Sequence, residues 1–87
     1  MPKFIIERTV GKMTDAQLEA GFKQAMKVAG DLPHVKWVRT YYSADEGKMY
    51  CEYEAPNIEL IYEHARLAKI PADSVRMVAE MLPAMFQ

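Results

Sequence analysis

The sequence predicts an α+β domain of order βαββαβ, a four-stranded antiparallel sheet with two helices on one face, the ferredoxin-like arrangement. Three observations predict it. A complete helix start signal stands at Thr14, two β-rich segments flank a short turn at 44–47, and a second helix bounded by Asn57 and Ile70-Pro71 leads into an alternating segment that closes the order.

Lys3 to Arg8 carries Phe4, Ile5 and Ile6 between polar ends and reads as a short strand, which Gly11 breaks. Thr14 is then an N-cap, with Gln17 its capping-box partner three positions on and Met13 placed to staple onto Leu18. The apolar face of this helix is Leu18, Phe22, Ala25 and Ala29, and Gly30 followed by Pro33 ends it. His34 to Ser43 is rich in β-branched and aromatic residues, and Lys48 to Glu54 alternates Met49, Cys51 and Tyr53 with Lys48, Tyr50, Glu52 and Glu54. Ala44 to Gly47 is a turn with glycine last, so the two segments pair as antiparallel neighbours. Asn57 caps a helix from Ile58 to Lys69, with Glu59 near its start and Arg66 and Lys69 near its end. Ser74 to Leu82 has the period of either a strand or a helix; the order of the preceding elements selects strand.

A chain of 87 residues holds one domain, 1–87, with a modest core, and pairing with a second copy would enlarge that core. Helices on one face leave the other face of the sheet uncovered, where Val38, Tyr42, Tyr50, Val78 and Leu82 are the apolar or aromatic members. The expectation is a homodimer joined sheet to sheet, with the tail from Pro83 to Gln87 free to lie on the partner or to add an edge strand. No apolar run approaches the ~20 residues that span a bilayer, and the start MPKFIIERTV lacks a secretory signal pattern, so a cytoplasmic location is expected with no membrane partner. A formal charge of −1 argues against a nucleic-acid partner. With one cysteine, internal disulfides and CxxC motifs are excluded.

The residues able to carry chemistry converge on the layer between the second helix and the sheet. His64 falls on the stripe of Ile58, Ile61, Ala65 and Ala68, facing the sheet, and a buried imidazole requires a partner or a ligand. Cys51 lies on the apolar face of its strand, where such a thiol is most often a small hydrophobe; beside His64 it would become a nucleophile, with His64 the acid or base. Sulfur and imidazole also suit nickel, copper or zinc, with Glu7, Cys51 and His64 as the metal candidates and His34 or Asp45 as additional donors. A small-ligand pocket is the third reading, lined by Trp37, Tyr41 and Tyr53 and made polar by Arg8, Arg39 or His64. These chemistries correspond to a metal-binding protein or to an enzyme of the dimeric α+β barrel kind acting on a small organic molecule. A structural or interaction module is the reading in which His64 is satisfied internally.

Three segments carry a resemblance that covers most of the chain: IIERTV, VKWVRTYYSADEGKMYCEYEAPN and EHARLAKIPADSV. The chain resembles a family of small bacterial domains of unknown function that includes a nickel-binding protein of ferredoxin-like fold. The resemblance implies a ferredoxin-like homodimer and a role in nickel sequestration. Glu7, Arg8, Cys51, Glu54 and His64 are the polar or reactive positions within the matching segments. Lys69-Ile70 stands where the family pattern has a glycine before the proline turn.

Overall fold

The computed structural model describes all residues, Met1–Gln87. The elements run β1 (Lys3–Thr9), α1 (Asp15–Asp31), β2 (Lys36–Ser43), β3 (Lys48–Glu54), α2 (Ile58–Ala68) and β4 (Ser74–Val78), followed by a single 3-10 turn at Pro83–Phe86. The strands form one sheet in the order β2-β3-β1-β4, every neighbouring pair antiparallel. This is the ferredoxin-like βαββαβ fold.

Local chemistry explains the boundaries. Thr14 accepts from the Gln17 N–H while the Gln17 side chain accepts from the Thr14 N–H, so two otherwise orphaned donors at the start of α1 are satisfied. Asn57 does the same for the Leu60 N–H at the start of α2. α2 ends on Lys69 with φ 57, the left-handed conformation in which a side chain is disfavoured. β2 begins two residues later than the sequence predicts, because His34 also has a positive φ of 68 and belongs to the turn. β4 stops at Val78 rather than Leu82.

The core lies between helices and sheet. Phe4 and Ile6 from β1, Met49, Cys51 and Tyr53 from β3, and Ile61 from α2 are buried there, with Ala25 and Val28 of α1 and Ala65 and Ala68 of α2 also enclosed. Gly47 ends the β2–β3 hairpin with φ 66, and a Cβ on it would sit 2.9 Å from the Gly11 Cα. The hairpin carbonyl of Gly47 accepts from both Val10 and Gly11, while the Tyr42 hydroxyl accepts from the Met13 N–H and donates to the Gly11 carbonyl. The β1–α1 loop is thereby pinned over one end of the layer.

An irregularity in β2 decides which side chains face the helices. Trp37 pairs with Tyr53 but Arg39 pairs with Glu52, so Val38 is an extra residue and the alternation reverses across it. Beyond this bulge Thr40 and Tyr42 share the helix side with Cys51 and Met49, while Tyr41 sits opposite Tyr50 on the other face. Tyr42, expected on the open face, is on the covered one.

The uncovered face is an array of paired charges rather than an apolar patch. Lys3 bonds Glu52 and lies near Glu54, Arg39 contacts Glu52 at 3.2 Å, and Lys48 contacts Glu7 at 3.3 Å. Ile5, Tyr41, Tyr50 and Val78 are interspersed among them by register. Glu52 is buried although no helix covers it, because its neighbours' side chains close over it.

Candidate functional site

Arg8 is the most unusual residue of the covered layer. The alternation of β1 turns Phe4, Ile6 and Arg8 toward the helices and Lys3, Ile5 and Glu7 away, so the last inward position of the strand carries a charge. Its exposure is 2%. Nη1 donates to the Pro71 carbonyl at 2.6 Å, which ties the turn after α2 to the sheet, but Nε and Nη2 have no partner in the protein. No carboxylate pairs with it; every ion pair of the molecule involves other residues. Its guanidinium carbon lies 6.0 Å from the centre of the Tyr53 ring, at the outer edge of a cation–π contact.

His64 is fully buried on α2, facing the sheet. Its Nε2 lies 2.9 Å from the Ala25 carbonyl, a bond that requires the proton on Nε2 and joins α2 to α1. Nδ1 is then an acceptor, and it has no partner. Burial holds the imidazole below its ordinary range; the Ala25 bond opposes this, and the nearby Arg8 charge adds to it. The His64 ring leans on Tyr53, centres 5.1 Å apart and tilted by 55°. Burial likewise pushes the Tyr53 phenol up to about 12, against the pull of Arg8.

Cys51 is buried under α1 and does not bond His64. The Trp37 indole donates to the Thr40 hydroxyl at 2.8 Å, and that hydroxyl donates to Cys51 Sγ at 3.1 Å. Thr40, which the bulge brings to this side, is a partner that the undisturbed alternation of β2 concealed. Thiol and imidazole thus face the same layer, each with its own neighbours, and no thiol–imidazole pair forms.

A cavity of about 50 Å³ lies beside these groups. Leu18, Gly21, Phe22 and Ala25 of α1 roof it, Arg8, Met49, Cys51 and Tyr53 of the sheet floor it, and Val10, Met13 and Ile70 close its ends. Of the expected pocket residues Arg8 and Tyr53 line it. Trp37 stacks on Phe22, centres 5.2 Å apart, and lies outside the lining. Tyr41 is 63% exposed on the opposite face, because the bulge at Val38 breaks the parity that 37 and 41 would otherwise share.

The expected metal set does not assemble in one chain. Glu7 points to the open face, where it pairs with Lys48, while Cys51 and His64 point to the covered one. No group of three histidine, cysteine or acidic side chains is close enough to hold an ion. The covered layer also carries the Arg8 charge beside His64, which opposes a dication.

Residues 4–78 match the family described as nickel-responsive proteins like SCO4226. The chain belongs to this SCO4226-like family. The crystal structure of SCO4226 from Streptomyces coelicolor A3(2) superposes with a TM-score of 0.82 at 22% identity, covering 92% of this chain and 99% of that one. At that identity the likeness speaks for the fold. No match is found among curated proteins. No helix of this SCO4226-like chain is long and apolar enough to cross a membrane.

Proposed function

We propose that the protein works in nickel handling, holding a divalent ion at a surface shared by two copies of the chain. Membership of the nickel-responsive family over residues 4–78 carries this reading. Chemistry directs the ion to a surface: the covered layer opposes a second positive charge, and one chain offers no three-donor group. Among the candidate donors Glu7 lies on the uncovered sheet face, in a shallow hollow with Tyr50, Ser74 and Arg76. Two stacked sheets would bring two copies of Glu7 toward a common layer, where an ion must displace Lys48 from the carboxylate. Beyond β4, Met81, Leu82, Met85 and Phe86 are exposed, Phe86 by 73%, and supply apolar surface for a second copy to cover.

The test is a calorimetric nickel titration coupled to sedimentation. Saturable binding at a stoichiometry of one ion or fewer per chain, weakened at least tenfold in Glu7→Gln and strengthened in Lys48→Ala, supports the reading. Binding that Glu7→Gln leaves unchanged while His64→Gln or Cys51→Ser abolishes it would return the metal to the interior. A monomer at all concentrations, with or without nickel, would refute the shared site.

A further inference from the structure

We propose that the cavity beneath α1 is a binding site for a short-chain carboxylate, with Arg8 supplying its counter-charge. This is independent of the nickel reading. A guanidinium taken out of water and left with one carbonyl partner is a costly arrangement, and charges this deeply buried are ordinarily paired. Arg8 forms no ion pair, yet it stands in the wall of a cavity whose remaining surface is almost wholly apolar. Its two unpartnered N–H groups, Nε and Nη2, are adjacent donors on one edge of the guanidinium, the fork geometry that a carboxylate accepts with both oxygens. Tyr53 also lines the cavity, its ring centre 6.0 Å from the Arg8 guanidinium carbon, and its protonated phenol is a second donor there.

Size and lining narrow the ligand. A volume of about 50 Å³ accommodates roughly four water-sized atoms, the heavy-atom count of acetate and one fewer than that of propionate, so the ligand is a carboxylate of two or three carbons. Leu18, Phe22 and Met49 offer a short alkyl group the contacts that an inorganic oxyanion cannot use. Gly21 keeps the roof open, since a Cβ built there meets nothing within 4 Å.

The experiment is a titration of the full chain with sodium propionate, followed through the methyl signals of Leu18 and Met49 by NMR at constant ionic strength, with sodium chloride and propionamide as controls. The expected result is saturable shifts with propionate and a tenfold or weaker response to propionamide, which has the shape without the charge. Arg8→Met should abolish the response. Because that variant changes the core, Gly21→Leu is the second: it fills the cavity, keeps Arg8, and should also remove saturation while leaving the dispersed spectrum of a folded protein. Shifts that are linear in salt, equal for propionate and propionamide, or undiminished in Gly21→Leu would overturn the proposal and leave a cavity that holds water only.

Discussion

The two faces of the sheet solve the problem of charge in opposite ways. On the open face Lys3, Arg39, Lys48, Glu7, Glu52 and Glu54 are matched with one another in or near solvent. On the covered face one cation, Arg8, and one imidazole, His64, keep three polar atoms unpartnered amid apolar side chains. Residues 7 and 8 are neighbours in sequence yet belong to these two regimes. A pleat that separates successive side chains places complementary groups where they cannot meet, and that lesson governs the metal question as much as the stability of the fold.

The largest contrast should come from Ile6 and Ile5. Ile6→Ala, which empties space in the core, is expected to cost about 2–5 kcal/mol in denaturant unfolding. Ile5→Ala should cost about 1 kcal/mol or less in the monomer, and a cost approaching that of Ile6, rising with protein concentration, would mean that a second copy buries the open face. Next comes Gly47→Ala: its left-handed φ and the Gly11 backbone only 2.9 Å away predict a loss of about 2 kcal/mol, measured by thermal unfolding.

The imidazole supplies a pH signature for the covered face. His64 is held below the ordinary value of 6.5, so the unfolded chain takes up its proton first as pH falls. The stabilisation from keeping the ring neutral is complete above about 6.5 and declines below it until the folded protein also protonates. The slope just below about pH 6.5 is positive and cannot exceed about 1.4 kcal/mol per pH unit for one group, and His64→Gln should flatten the unfolding free energy there. An unchanged slope would mean that the ring is not dry. On the open face, Lys48→Gln should lower the melting temperature slightly at low salt and have a smaller effect in 1 M sodium chloride, since the half-exposed Lys48–Glu7 pair is screened. The smallest effect is a gain: Lys69→Gly relieves the left-handed helix end and should add about 0.5–1 kcal/mol.

Much of this architecture was legible because local signals agreed with the global order. The Thr14–Gln17 box, the Asn57 cap and the Ile58–Ala68 stripe each name one element, and the inward facing of His64 followed from helical period alone. The site was legible only in part. Parity along β1 separates Arg8 from Glu7, but nothing in IIERTV announces that the arginine is the buried member without an acidic partner. Tyr41 and Tyr42 exchanged faces because a one-residue bulge at Val38 has no compositional mark, and the Thr40–Cys51 contact depends on the same bulge. The separation of Cys51 from His64 is a matter of which neighbours each finds within one layer, a three-dimensional fact that no period encodes.

The most direct measurement is paramagnetic broadening of amide signals by a trace of nickel added to isotopically labelled protein. Loss of signal centred on Glu7, Lys48 and Tyr50, with Ala25, Tyr53 and His64 left sharp, is the predicted result. Broadening centred on His64 and Cys51 would contradict the division of the sheet into a metal-facing surface and an anion-seeking interior.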